Sequence, residues 1–185
     1  IQSGYGRTGK MWAGEHAGVR PDIMTIGKAM AGGMPMSGIV STPELMARWQ
    51  PGTHGTTFGG NPVSAAAGLA VLDEYAEAGI VENAARVGDA FRAKLVELQS
   101  RYPIIADVRG IGMMLAIEFG ATDSLTSQQV FSHVQGLAAE RGLLLLGCGV
   151  SHNAVRFAAP LNVQVPELQE GFDILESVLQ TVSGS

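Results

Sequence analysis

The stretch "TIGKAMAGGMP", Thr25 to Pro35, places a lysine at the end of an apolar, β-branched run and at the mouth of a glycine-rich turn. With its upstream neighbours, "PDIMTIGK" (Pro21 to Lys28) has the character of a short buried strand. Downstream, "SGIVS" (Ser37 to Ser41) reads as another strand, and "TPELMARW" as a short helix with Thr42 capping and Pro43 at its first position. Lysine is scarce enough to treat by elimination: only Lys10, Lys28 and Lys94 occur. Lys94 flanks an apolar helical stripe with Arg and Glu nearby and reads as a solvated edge. Lys10 lies in an open polar loop. At Lys28 the apolar strand is expected to strip water from the ammonium, lower its pKa and release a nucleophilic amine. A strand-end lysine reaching out to solvent is the other reading of the same residues.

Outward from this stretch, "HGTTFGGNP" (His54 to Pro62) is a loop that ends in a helix start, with Asn61 as N-cap and Pro62 at N1. The following "VSAAAGLAVLDEYAEA" is so rich in Ala and Gly that close packing is expected, and Gly79 ends it. A second helix is predicted from about Val81 to Ser100, with Val87, Phe91, Leu95 and Leu98 at helical spacing. Beyond Pro103 the period changes. "IIADVRG" and "GMMLAIEF" read as strands joined around Gly110-Ile111-Gly112. A helix near Leu125 to Glu140, strands at Leu143 to Leu146 and Ala154 to Phe157, and a helix from Pro166 to Val182 complete the pattern. It predicts an α/β fold in two parts: the last strands of a larger α/β sheet with its linking helix in residues 1–78, and a small α+β domain in residues 79–185.

Composition narrows the function. A net charge of −5 and a pI near 5.3, with no run of Lys or Arg, argue against a nucleic-acid or anionic-membrane surface. No apolar run approaches the roughly 20 residues that span a bilayer. One cysteine, Cys148, cannot form an internal disulfide and reads as a small buried residue. A reducing, cytoplasmic setting is therefore expected. The four histidines show no metal-ligand spacing, so no metal is expected. His54 and His152 fall in loops and read as surface residues. "IQSGYG" has neither an initiator Met nor the regions of a signal peptide, and reads as the middle of a domain.

"GYGRTGKM" (Gly4 to Met11) fits both G-x-G-x-x-G and the first part of a P-loop. The dinucleotide motif needs a strand just before it and a helix opening at it, whereas "KMWAGEHAGVRPD" is too rich in Gly, with a Pro, to be that helix. The P-loop needs Ser or Thr after Lys10, where Met11 stands. A phosphate- or nucleotide-binding module at Gly4–Lys10 is thus the lesser reading, and a glycine-rich turn beside a ligand site the favoured one. A third reading is a non-catalytic fragment that associates through its Ala/Gly helix.

Five segments together carry a family resemblance. "TIGKAMAGGMP" resembles the cofactor-lysine motif of class III, ω-amino-acid type, pyridoxal-phosphate aminotransferases. "IQSGYGRTGKMWAGEHAGVRPDI" resembles the segment before it, "GTHGTTFGGNP" the phosphate-contact loop, and "DVRGIGMMLAIEF" and "NAVRFAAPLNV" the C-terminal domain. The resemblance covers the whole chain in order, and within the family it looks most like 4-aminobutyrate aminotransferases, with acetylornithine and ornithine aminotransferases as near alternatives. It implies the fold type I of aspartate aminotransferase-like enzymes, with the C-terminal part of the large domain followed by the small domain.

The resemblance also implies roles. Lys28 would bond pyridoxal 5′-phosphate as a Schiff base and, once released, shuttle the proton between substrate and cofactor. Gln2 matches the residue that hydrogen-bonds the cofactor's phenolic oxygen. Thr57 matches the threonine that reaches the cofactor phosphate across a homodimer interface, helped by loop N–H groups at a helix N-terminus. Arg156 matches the arginine that grips substrate carboxylate through both oxygens. Arg109, beside Asp107, reads as structural. The implied reaction is ping-pong transfer from an ω-amino acid to 2-oxoglutarate. The family's acid for the pyridine nitrogen, its Gly/Ser phosphate cup and its ring-stacking aromatic would precede Ile1, so this chain by itself is expected to be inactive. "AAPL" (Ala158 to Leu161) replaces a bulkier family pattern and is expected to widen the carboxylate end of the site.

Overall fold

The computed structural model describes residues 1–184, which divide into two compact units, Ile1–Glu82 and a second beginning at Asn83. In the first, strand β1 (Ile23–Ile26) pairs antiparallel with β2 (Gly38–Ser41), Ile23 opposite Ser41 and Ile26 opposite Gly38. Between them lies a 3-10 turn, Lys28–Ala31. Helix α1 (Pro43–Met46) follows with the Thr42 hydroxyl accepting from Leu45 N–H at 3.4 Å. Helix α2 (Pro62–Glu77) starts at Asn61, whose side chain accepts from Val63 and Ser64 N–H. Gly79 leaves it at φ 60°, in the left-handed region that glycine enters without strain.

Helix α3 (Ile80–Arg101) leads into the second unit, whose sheet has the order β3-β4-β6-β5 with every neighbouring pair antiparallel. Its strands are β3 (Ile105–Ile111), β4 (Met114–Phe119), β5 (Leu146–Cys148) and β6 (Ala154–Arg156). Helices α4 (Ser127–Glu140) and α5 (Val165–Ser183) join α3 on one face. The two-residue period of a strand decides that face: Leu115, Ile117 and Phe119 enter the core, while Met114, Ala116 and Glu118 do not. Val87, Phe91, Leu95 and Leu98 of α3 meet them, as do Val130 and Val134 of α4 and Leu175, Val178 and Leu179 of α5. Each such side chain contributes about 1.5–3 kcal/mol by leaving water.

The predicted strand Leu143–Leu146 is displaced: the observed strand is Leu146–Cys148. Leu143 N–H bonds Ala138 C=O at 2.8 Å as part of the α4 terminus, and Leu145 C=O accepts from the Gln135 side chain at 2.9 Å, so both backbones are engaged before pairing begins. No helix of the described residues is long and apolar enough to cross a membrane.

Candidate active site

Lys28 takes its position from the turn. Gly27 is buried and extended, and a Cβ built on it would lie 3.4 Å from the Ser37 Cβ, 3.7 Å from the Ile1 side chain and 3.7 Å from Met36 C=O. Lys28 then adopts φ 53°, the left-handed region, which costs a residue with a Cβ about 1–2 kcal/mol. Met30 N–H closes the turn on Gly27 C=O at 3.4 Å, and Ala31 is buried. The dehydrated amine expected from the apolar run is not what this unit provides. Lys28 is exposed, because the turn buries Gly27 and Ala31 and carries the residue between them outward.

Gln2 is half-buried and follows Ile1, whose amino group donates to Thr25 C=O at 3.3 Å. The start of the chain is thereby laid along β1, which ends two residues before Lys28. Thr57 sits in an exposed segment between α1 and α2, and among the described residues no hydrogen bond joins it to Lys28 or Gln2. Asn61 Oδ1 accepts from Val63 N–H at 2.9 Å and Ser64 N–H at 3.2 Å, so the first amides of α2 are engaged by its cap, whereas the amides expected to help Thr57 are those of the loop just before the helix. Gly59 and Asn61 N–H bond Thr56 and Phe58 C=O. A phosphate at this loop would depend on the Thr57 hydroxyl rather than on the α2 terminus. An exposed primary amine on a fixed turn, with a hydroxyl available for phosphate, fits a phosphorylated aldehyde.

The Gly4–Met11 loop is packed rather than open. Arg7, Gly9 and Gly6 N–H bond Gly4, Gly6 and Met11 C=O, so these amides do not form a cradle for a nucleotide phosphate. Tyr5 is buried edge-on to Trp12 and Tyr75, and the Tyr75 hydroxyl donates to Tyr5 C=O at 2.6 Å. Thr8 is also buried, with His16 Nε2 3.1 Å from its carbonyl and hydroxyl oxygens.

Burial, with the neighbouring Tyr5, raises the Tyr75 pKa against the opposing pull of Arg7. The folded state therefore holds the phenol proton more tightly than the unfolded chain, and this stability is complete below about pH 10 and falls as pH rises through the folded value. Tyr75→Phe is expected to lower unfolding stability by about 1 kcal/mol at pH 8 and to flatten its decline between about pH 9 and 11. Denaturant melts across that range would show it; an unchanged alkaline slope would count against the role of Tyr75.

In the second unit Arg156 lies opposite Ala116 on β4 and Leu146 on β5, whereas its neighbour Val155 is in the core. Strand alternation thus sets Arg156 on the face away from the helices. Arg109 stands on the same face, held by Asp107 at 2.7 Å and Glu118 at 2.7 Å, and the hydrogen bonds to Asp107 and then Glu118 raise its pKa. The Arg156 guanidinium has no ion pair or hydrogen bond among the described residues, and the residue is half-buried. A cavity of about 440 Å³ that reaches Arg156 is lined mainly by Leu145, Phe157 and the helix side chains Phe91, Phe172 and Leu175, so it lies against α3 and α5. Buried Asn153, not singled out from the sequence, donates to Phe119 C=O at 2.9 Å and Glu118 at 3.3 Å, tying the start of β6 to β4. Its signal was a polar residue directly before a strand.

A family model of aminotransferase class-III matches residues 1–179. The acetylornithine aminotransferase of Caldanaerobacter subterraneus subsp. tengcongensis is 41% identical over 182 residues, covering 98% of this chain and 44% of that protein. A probable 4-aminobutyrate aminotransferase of Bacillus subtilis is 38% identical over 183 residues, covering 97% and 42%. The solved ornithine delta-aminotransferase of Plasmodium falciparum superposes with a TM-score of 0.88 at 32% identity, covering 100% of this chain and 46% of that one. The chain spans less than half the length of each.

Proposed function

The chain belongs to the class-III aminotransferase family, and from that premise we propose that it supplies the lysine-bearing and carboxylate-binding parts of a pyridoxal 5′-phosphate-dependent transaminase. The observation that carries the proposal is Lys28: a non-glycine residue held in the left-handed region on a rigid turn, with an exposed amine. Backbone strain of this kind persists where the surroundings enforce it, and it gathers at functional sites. Pyridoxal 5′-phosphate, when bound, supplies the aldehyde that takes up the amino group and the ring system that accepts the electrons left on the substrate carbon.

This chain's own residues would contribute as follows. Lys28 Nζ would hold the cofactor through its aldehyde carbon and, once free, would serve as the base and acid for the proton on the amine-bearing carbon of the substrate. The Gln2 amide donates to the phenolic oxygen. The Thr57 hydroxyl donates to the phosphate of the partner protomer's cofactor in a homodimer. Support for that dimer comes from α2, whose Val63 and Leu69 are 62% and 65% exposed. Arg156 grips carboxylate through two N–H groups. A half-buried free thiol at Cys148 suits a reducing cytoplasm.

The proposed reaction moves the amino group of an ω-amino acid to 2-oxoglutarate in two half-reactions. 4-Aminobutyrate is the donor read from the chain's motifs. Acetylornithine or ornithine is a second reading, favoured by the 41% identity to an acetylornithine aminotransferase. A donor panel at fixed 2-oxoglutarate, run on the chain extended to the length of its relatives, separates them. Arg156→Ala in that protein is expected to raise the KM for 2-oxoglutarate by about 10- to 100-fold with a smaller change in kcat. An unchanged KM would remove Arg156 from the carboxylate site.

A further inference from the structure

Something must hold Lys28 in its left-handed conformation, and the atoms around its turn identify it. On α2, Ser64, Gly68, Val71 and Tyr75 recur at the spacing that shares one helix face, and Ser64 and Gly68 are buried. A Cβ built on Gly68 would sit 3.2 Å from Met36 Sδ and 3.4 Å from Met30 C=O. A Cβ built on Gly32 would sit 3.1 Å from Val71 Cγ2. The backbone two residues after Lys28 and the segment that returns to β2 are therefore both pressed against this face. On the other side of Lys28, buried Gly27 packs near Met36 C=O and Ser37. Lys28 is thus bracketed by two pinned peptides, and Met36 touches both brackets. Four residues further along the same face, Tyr75 anchors the loop that follows Gln2.

We propose that Gly68 is a positioning residue for the cofactor lysine. The missing side chain lets the Met36 sulfur seat on α2 beside the Met30 carbonyl, and that seat enforces the backbone conformation that presents the Lys28 amine. Helix propensity alone disfavours glycine at a mid-helix position, so its presence here is matched to the close approach. The inference rests on the assignment of Lys28 as the cofactor lysine.

The test uses the three lysines of the chain as internal references. The folded 185-residue protein is treated with pyridoxal 5′-phosphate and borohydride, which turns an amine condensed with the aldehyde into a stable secondary amine, and adducts at Lys28, Lys94 and Lys10 are counted by peptide mass. Gly68→Ala, whose new methyl meets only the flexible Met36 end at close range, is expected to lower the Lys28:Lys94 ratio about threefold, and Gly68→Val about tenfold. Met36→Ala by itself, which removes the side chain seated on Gly68, is expected to lower the ratio as well. Ala66→Val, on the exposed side of α2, weakens the helix without touching the turn and is expected to leave the ratio unchanged. Folded Gly68 variants with the wild-type ratio, or an equal loss in Ala66→Val, would overturn the positioning role. Equal labelling of Lys28 and Lys94 in the wild type is a different failure, since it sinks the assignment of Lys28 itself.

Discussion

Lys28→Ala is expected to eliminate the trapped pyridoxal adduct at position 28 and, in the chain extended to the length of its relatives, to reduce transamination by about a thousandfold or more. Both effects follow from one amine that bonds the cofactor and then carries a proton. The substitution removes an exposed side chain and no hydrogen bond, and alanine meets the same left-handed strain as lysine, so the thermal midpoint should hardly move. Stability and activity therefore part company in this variant. An added small primary amine is expected to return a fraction of the activity, with a rate that rises with the concentration of its neutral form. A cofactor adduct or absorbance that persists in Lys28→Ala, with Lys10 and Lys94 unlabelled, would overturn the proposed function.

The largest effect on stability is expected at Gly88. On an exposed helix surface, Gly→Ala gains about 1 kcal/mol from propensity. Here the added Cβ would lie 2.3 Å from the Gly112 carbonyl carbon and 2.5 Å from its oxygen, with backbone rather than a flexible side chain in the way. The turn cannot yield easily either. Gly110, at φ 124°, faces the Met114 carbonyl across the β3–β4 connection, where a Cβ would sit 2.0 Å from that oxygen. Gly88→Ala must push α3 off the hairpin that carries Arg109 and Glu118 and that pairs with β6. A loss of about 3 kcal/mol, or more than about 10 °C in Tm, is expected. The sign decides the matter: a variant that melts at or above the wild-type temperature would show that the helix and hairpin do not meet as described.

Local signals were read accurately where the causes are local. Asn61-Pro62 starts α2 and Thr42-Pro43 starts α1, because a side-chain oxygen two or three residues from an amide can cap it whatever the rest of the chain does. The four apolar residues of α3 were legible for the same reason, since a period of 3.6 residues needs only its own helix. The resemblance also pointed to the residues at which this chain meets its family model, from residue 1 to residue 179.

Other features depend on groups distant in sequence. The strand predicted at Leu143 begins at Leu146, because Ala138 and Gln135 claim the preceding backbone. The solvation of Lys28 was misread from its apolar neighbours, since the hydrophobicity of a strand does not say on which side of a turn the next residue emerges.

The amino-acid sequence by itself determined the helices with their caps, the alternation of the strands and the family, all of which arise from short-range geometry or from motifs in order. Only the tertiary structure decided that Gly68 seats the turn of Lys28, that Gly88 meets Gly112, and that Arg109 is held by two carboxylates while Arg156 is not. Those are contacts between backbones and charges far apart in the chain, and their distances are settled by packing, which no local propensity encodes.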